Sequence, residues 1–372
     1  MKILQLIYES SGSPFGFGGA GVRANEIYKR LKERHDITLL CMKYPGARNG
    51  EIEGLRHIFV GTESKSLTKS VISYTLRASG YIRKYGRDND IIIENLLPAT
   101  PFFSRFLTKT PVILQIQGIM NRHALSKYNI FYSMPMYITE KVYPFLYDNF
   151  IFVTGIKADK LMRKAKKYVV IPNGIGRELL NIDEKEDDYI LFFSRIDIYT
   201  KGLDILLDAF TSVADKYEGI KLVLAGYEFN SAARLLNRMP ARLKDRVNYA
   251  GFVTGKEKTE LLSRAKVFVL PSRHEAHPVS LLEALACGKA VLVSDIPELQ
   301  YVRENGIGLS FKSGSSLDLA DRLCHLLENK DLRERLGNRG RQYASNFLWD
   351  DIAPRFEKFL MDVTVNPNNG VL

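Results

Sequence analysis

The chain has 372 residues but only three cysteines, Cys41, Cys287 and Cys324, and a single tryptophan. Three dispersed cysteines make neither a disulfide framework nor a cysteine metal site, so the expectation is a protein of the reducing cytoplasm. No apolar run nears the ~18 residues that crossing a bilayer takes. The opening Met1-Lys2-Ile3-Leu4-Gln5-Leu6 has a strand's pattern and lacks a secretory leader's apolar stretch and small-residue cleavage site. A Walker A loop is missing too. Gly288-Lys289-Ala290 and Gly255-Lys256-Glu257 lack both the earlier glycine and the Ser or Thr. Disorder is excluded over most of the length by 45% hydrophobic and 26% charged residues, and the length suits two domains.

Positive charge is in excess, and it is uneven. The net charge is +11, from 53 Lys and Arg against 42 Asp and Glu. Residues 1–170 hold 26 of the cations and 13 of the acids, a balance of +13, while residues 171–372 hold 27 and 29, a balance of −2. The asymmetry directs the first half toward an anionic partner (nucleic acid, a membrane surface or a phosphorylated substrate) or serves solubility alone. A nucleic-acid-binding protein is therefore one rival reading, although no recognition motif supports it.

Short apolar runs alternate with helix-periodic stretches. The pattern predicts strands over Lys2–Tyr8, Asp36–Met42, Asp90–Asn95, Pro111–Gln117 and Phe150–Thr154, and helices over Gly21–Arg34 and Ser66–Tyr85. Val169-Val170-Ile171-Pro172-Asn173-Gly174 ends a strand in turn chemistry, and the polar, acidic Asn181–Asp188 reads as a linker. The alternation then restarts, with strands over Tyr189–Ser194, Lys221–Gly226, Val247–Gly251, Val267–Leu270 and Ala290–Val293. Helices follow over Gly202–Tyr217, Lys256–Arg264, Pro278–Cys287 and Leu317–Glu328, and a last one from about Trp349 to Asp362. The expected fold class is α/β: two doubly wound, Rossmann-like domains over 1–180 and 181–346, with a final helix and tail over 347–372. Such sheets bind ligands at the carboxyl ends of their strands.

Three motifs fall in loops that follow strands. Gly16-Phe17-Gly18-Gly19-Ala20-Gly21 fits the dinucleotide fingerprint formally, which keeps a nucleotide-dependent oxidoreductase as a second rival. Two features count against it. Glu9–Phe15 separate the loop from its strand, and no acid ends the second strand near Met42. What remains is a glycine loop that opens a helix and favours an anion, or a flexible turn with no ligand. Ser194-Arg195-Ile196-Asp197 followed by Thr200-Lys201-Gly202 sets an Arg and a Lys across a strand-to-helix loop, where a pyrophosphate is their natural target. Pro271 to Gly288 carries Glu275 in a loop and Glu283 eight residues on, beside the apolar face of Val279, Leu282 and Leu285. A partly buried carboxylate there needs a partner, either ligand hydroxyls or a salt bridge. His274 and His277 lack His-Glu-x-x-His spacing and a third ligand, so no metal is expected.

Taken together the motifs resemble those of the retaining, nucleotide-sugar-dependent glycosyltransferases of family 4, which have the GT-B fold. Gly18-Gly19 is similar to that family's N-terminal glycine loop, and Pro172-Asn173-Gly174 to its Pro-Asn-Gly. Arg195 with Lys201-Gly202 resembles its diphosphate clamp, and Glu275 with Glu283 its Glu-x7-Glu pair. Phe347-Leu348-Trp349 resembles its Phe-Ser-Trp, after which the last helix crosses back to the N-terminal domain. The resemblance implies two domains facing across a cleft, the N-terminal one for the acceptor and the C-terminal one for the donor. It implies that Arg195 and Lys201 bind the donor diphosphate and stabilise leaving-group charge. Glu275 would hold sugar hydroxyls or sit near the anomeric carbon, and Glu283 would bind the ribose. The backbone at Phe252 and Val253 would touch the base, with Gly18, Gly19, Ala276, His277, Pro278 and Leu282 completing the donor site. No cofactor or metal is implied, because the basic pair and helix dipoles replace Mg²⁺. The implied acceptor is a glycan or lipid-linked precursor in cell-surface polysaccharide or glycolipid biosynthesis. An inverting enzyme of the same fold is the nearest alternative.

The sequence departs from the family in two places. Gln117-Gly118 stands where many relatives have a His pair, and an amide cannot act as a base. His123 is the nearest substitute, or an ordinary loop histidine. His277 stands where Phe is common. In the basic half, Lys65–Arg87 interleaves Lys65, Lys69, Arg77, Arg83, Lys84 and Arg87 with apolar residues, as a helix on an anionic lipid surface does. Tyr128, Phe131, Tyr132, Tyr137, Tyr143, Phe145, Tyr147 and Phe150 follow, forming an interface, a sugar platform or a helical pair packed into the core. These features add a peripheral place at the inner face of the plasma membrane.

Overall fold

The computed structural model describes residues 1–97, 101–120, 123–127, 129–183, 185–228 and 239–365. They form two units: residues 1–173 with 349–372, and residues 174–348. Among the described residues no helix is long and apolar enough to cross a membrane.

Unit 1 is built on a largely parallel sheet whose central strands are buried on both faces, which is why they read as nearly continuous aliphatic runs. Its strands are β1 (Lys2–Leu6), β2 (Asp36–Met42), β3 (Gly50–Ile52), β4 (Leu55–Val60), β5 (Ile91–Asn95), β6 (Val112–Ile116), β7 (Asn149–Phe152) and β8 (Lys167–Val170), in the order β3-β4-β2-β1-β5-β6-β7-β8. Only the β3–β4 pair is antiparallel. Its helices are α1 (Gly19–Leu31), α2 (Leu67–Tyr85), α3 (His123–Lys127), α4 (Ile130–Val142) and α5 (Asp159–Lys164). Successive strand residues part to opposite layers: Ile3, Ile91, Ile93 and Ile113 join one core, and Leu4, Ile92 and Leu114 the other. The second layer holds Tyr74, Ala78 and Ile82 of α2, with Leu67, Val71 and Tyr81 packed against it, while Ile72, Leu76 and the helix's four cations, Lys69, Arg77, Arg83 and Lys84, face solvent. At the end of β5 the buried Glu94 accepts the Tyr143 and Tyr147 hydroxyls at 2.5 and 2.7 Å. Burial raises its carboxyl above the usual range, against the pull of Ser104 and the two tyrosines.

Unit 2 has β9 (Tyr189–Phe193), β10 (Lys221–Ala225), β11 (Val247–Gly251), β12 (Val267–Leu270), β13 (Val291–Ser294) and β14 (Leu309–Phe311), all parallel, in the order β11-β10-β9-β12-β13-β14. Around them lie α6 (Leu203–Lys216), α7 (Gly255–Arg264), α8 (Val279–Ala286), α9 (Gln300–Glu304), α10 (Ser316–Glu328) and α11 (Lys330–Ala344). The acidic stretch before β9 is not a loose linker. Glu186 pairs with Arg333 at 2.7 Å, Asp187 with Arg264 at 2.7 Å, and Asp188 with Lys266. Its charges are there to be matched by this unit.

The chain crosses between units at Asn173/Gly174 and Leu348/Trp349, rather than at 180 and 346. Ile175 bridges to Leu348 in unit 2 and donates its N–H to Phe347 O at 2.8 Å, which ties both crossing segments there. The last helix, α12 (Trp349–Val365), returns to unit 1. It buries Trp349, Ile352, Phe356, Leu360 and Val363 in the α1-side core, each contributing about 1.5–3 kcal/mol where fully buried. Phe356 meets Tyr28 edge to face at 5.9 Å, and Glu357 takes His35 at 2.6 Å and Arg34 at 3.0 Å.

Candidate active site

The second sheet reverses its strand order between β9 and β12, and parallel sheets seat ligands beyond the carboxyl ends of such neighbours. β9 runs out into Ser194-Arg195 and β12 into Pro271-Ser272. Long-range polar bonds lace the two loops together. The Arg273 N–H donates to Thr200 O at 2.9 Å, and its guanidinium forks onto both Asp204 oxygens at 2.8 and 2.7 Å. Gly202, at φ +66, caps α6, and a Cβ there would lie 2.0 Å from Pro271 O, so the loops approach this closely only at a glycine.

This lacing brings Lys201 and Glu275 together. Lys201 Nζ donates to Glu275 Oε1 at 2.6 Å, and Ser272 Oγ donates to the same oxygen at 2.6 Å. Both side chains of the ion pair are largely buried, at 12% and 6% exposure. A buried pair is costly to break from either side, since the remaining charge is left unmatched. Arg195, on the same loop, is 47% exposed, with Nη2 at 3.3 Å from Asp197 Oδ2. Asp197 also accepts the Thr200 N–H at 3.0 Å and so fixes the turn.

Glu283 is buried on α8, and Lys258 of α7 donates to its Oε1 at 2.6 Å. The neighbouring Leu282 is fully buried and packs in the core. Val253 is buried as well. Phe252 is 49% exposed, its ring edge-on to Tyr227 at 6.4 Å. Ala276 is half-buried and Pro278 is the buried N-cap of α8. The His277 ring packs at 6.1 Å from Tyr301 and 5.6 Å from Phe347, in an aromatic cluster completed by Tyr343. An aromatic Phe at this position would serve the same packing. His274 Nδ1 lies 3.7 Å from Glu298. Among the described residues no three His, Cys, Asp or Glu gather as metal ligands. Burial, with the Glu283 charge beside it, pushes the Cys287 thiol up to about 12 and makes it a poor nucleophile.

The remaining candidates belong to unit 1. Gly18 caps α1 and Gly19 opens it. The backbone N–H groups of Gly18 and Gly21 donate to Glu9 Oε2 at 3.0 and 2.7 Å. At this helix start the structure thus places a carboxylate of the chain itself, the charge that a helix N-terminus favours. Gln117 Nε2 donates to Asn95 Oδ1 at 3.2 Å, an oxygen that Gln115 shares at 2.8 Å. Gly118 follows, half-buried. His123 begins α3 and is half-buried, its N–H on Met120 O at 3.1 Å. Sequence reasoning missed Glu9, Lys258 and Ser272. Only Ser272 had a signal, its place one turn before Glu275.

Two family descriptions match the chain: "Glycosyltransferase Family 4" over residues 17–179 and "Glycosyl transferases group 1" over residues 179–343. The chain belongs to the group 1, family 4 glycosyltransferases. Among curated members of this family, it is 29% identical to a phosphatidyl-myo-inositol mannosyltransferase of Mycobacterium leprae over 50% of this chain and 51% of that one. It is 32% identical to an N,N'-diacetylbacillosaminyl-diphospho-undecaprenol alpha-1,3-N-acetylgalactosaminyltransferase of Campylobacter jejuni, over 50% of this chain and 47% of that one. The matched part thus spans about half the length of these curated relatives. The solved structure of Anabaena Alr3699/HepE in complex with UDP and glucose superposes with a TM-score of 0.76 at 17% identity, covering 97% of this chain and 100% of that one. The fold of this family member is GT-B.

Proposed function

We propose that the protein transfers a sugar, with retention at the anomeric carbon, from a nucleotide diphosphate-sugar to a glycan or lipid-linked acceptor. The Lys201–Glu275 pair at the strand-order switch, with Arg195 on the same loop, carries this reading. As the anomeric C–O bond breaks, negative charge grows on the departing diphosphate. Arg195 and Lys201 supply fixed positive charge for it, so the chemistry is electrostatic stabilisation. Glu275, held by Ser272, then faces the sugar hydroxyls as an acceptor of their hydrogen bonds. Glu283, held by Lys258, takes the ribose hydroxyls, and Phe252 with Val253 borders the base. The residues available to meet a diphosphate are cations, so the site needs no metal as counter-charge.

Two observations support this acceptor class: the relatives, whose names include a phosphatidyl-inositol and an undecaprenol diphosphate, and the charge. Unit 1 holds 28 Lys and Arg against 17 Asp and Glu, a balance of +11, and unit 2 holds 25 of each. A membrane-borne acceptor places unit 1 at the inner leaflet, where exposed Lys65, Lys69, Arg77, Arg83 and Lys84 of the α2 segment meet anionic headgroups. The test is incubation with UDP-, GDP-, ADP- and TDP-sugars and lipid-linked or soluble acceptors. Nucleoside diphosphate release and the product anomer are read by NMR. A β-linked product from an α-linked donor reverses the stereochemical reading, and no release with any donor overturns the activity.

A further inference from the structure

The described residues of α4 are arranged inside out. Ser133 and Glu140, seven apart and so on one face, are the buried ones; Glu140 accepts the Met120 N–H at 2.7 Å. The opposite face is apolar and open. Ile130, Met134, Ile138 and Val142, spaced by four, are 52%, 40%, 52% and 57% exposed, and Phe131 is 83% exposed. Phe145, in the turn that follows, is 44% exposed. A helix on a water-facing surface turns its aliphatics inward and its polar residues outward. Helices α2 and α12 also leave single apolar residues open, Ile72 and Leu76 on one and Met361 on the other, but each buries an apolar face in a core, Tyr74, Ala78 and Ile82 for α2 and Ile352, Phe356, Leu360 and Val363 for α12.

We propose that this face of α4, with Phe145, inserts shallowly into an anionic lipid leaflet. It rests on, and deepens, the reading that the acceptor is membrane-borne. Cations rim the apolar side chains: Lys141 is on the helix itself, and Lys164 Nζ sits 5.8 Å from the Phe145 ring centre. The exposed Phe106 follows Arg105, and the neighbouring Phe103 packs on Tyr143 just beyond α4. An apolar stripe edged by positive charge, on a unit of net +11, suits headgroups outside and acyl chains within. A second copy of the chain would bring one basic rim against another, which like charges oppose.

The test uses the full chain and vesicles of phosphatidylcholine with and without phosphatidylglycerol. The wild type is expected to co-sediment at least tenfold better with the anionic vesicles at low salt. Met134→Glu with Ile138→Glu should lose that partition at least tenfold while keeping the melting temperature and donor turnover on a soluble acceptor, since both side chains are already in solvent. Ile138→Trp should keep binding and shift its emission to the blue on vesicles, with quenching by brominated lipid. The proposal is overturned by equal binding to neutral vesicles, by unchanged binding of the double-Glu variant, or by an unshifted Trp. It is also overturned if the double-Glu variant breaks a dimer in vesicle-free solution. Vesicle binding with no transfer to a lipid-linked acceptor upholds the surface and refutes only the acceptor reading.

Discussion

Unit 1 carries the whole net charge of the protein, +11, while unit 2 has none, yet the cations proposed to serve the donor are all in unit 2. There, each one stands beside its own carboxylate: Arg195 by Asp197, Lys201 by Glu275, Lys258 by Glu283. The contrast separates two uses of positive charge. In unit 2 it is positional, a few groups held at fixed distances, and bulk charge is irrelevant. In unit 1 it is a field over a surface, effective in number and screened by salt within about 10 Å at 0.1 M.

The largest expected effect breaks or confirms the positional half of that contrast. Lys201→Ala and Arg195→Ala should each lower kcat/KM by roughly 100-fold or more, as lost transition-state donors do. Steady-state kinetics on folded variants check this, and near-normal turnover in both returns the clamp to the surface. Next come the glutamates. Glu283→Ala, and Lys258→Met through it, should weaken binding of the cognate nucleoside diphosphate by roughly tenfold, the scale of one hydrogen bond to a charged group. Glu275→Ala should spare that binding and damage transfer. Calorimetric titration of the three variants reads the split, and equal wild-type-like affinity in all three removes it.

Smaller effects sharpen the picture of unit 1. Glu9→Ala removes the acceptor of two N–H groups at the start of α1 and should cost about 1 kcal/mol in urea unfolding, the usual worth of a helix cap. An unchanged midpoint would mean that solvent serves those N–H groups equally well. Glu94 gives the most modest signal. Its carboxyl is raised in the folded state, so the native protein keeps that proton when the unfolded chain has lost it. Stability from this group is therefore full below the ordinary carboxylate range and falls as pH rises toward the raised value. Glu94→Gln, neutral throughout, should flatten that part of the stability–pH curve; a curve parallel to wild type would refute the assignment.

Much of this was legible because period and spacing are local. Ile91-Ile92-Ile93 announces a doubly buried strand, and Arg195, Lys201, Glu275 and Glu283 sit at fixed offsets from predicted strand ends. What stayed hidden depends on pairing across the chain. Lys258 is 25 residues from Glu283, and nothing near it marks it as that carboxylate's partner. Asn181–Asp188 looks like a linker because its counter-ions, Arg264, Lys266 and Arg333, are all distant. Helix α11 escaped notice because its buried face has only two leucines, Leu332 and Leu336, and otherwise packs through Gly337, Gly340 and Ala344: a Cβ on Gly337 would lie 2.0 Å from Gly288 O. The aromatic stretch after residue 127 split in two, with Tyr143, Tyr147 and Phe150 in the core and Phe131 and Phe145 open. Tyr128 lies outside the described residues.

The return of α12 to unit 1 has a bearing on how the protein is made. Trp349, Ile352, Phe356, Leu360 and Val363 close the core that Ile3 and Ile37 begin, so the first domain to leave the ribosome is the last to be complete. At bacterial or eukaryotic synthesis speeds of ~5–20 residues per second, translating unit 2 leaves the α1-side core without α12 for on the order of ten to thirty seconds. During that interval the nascent chain offers a ready surface to chaperones. A message truncated before residue 349 would yield a second domain able to fold and a first one permanently unsealed.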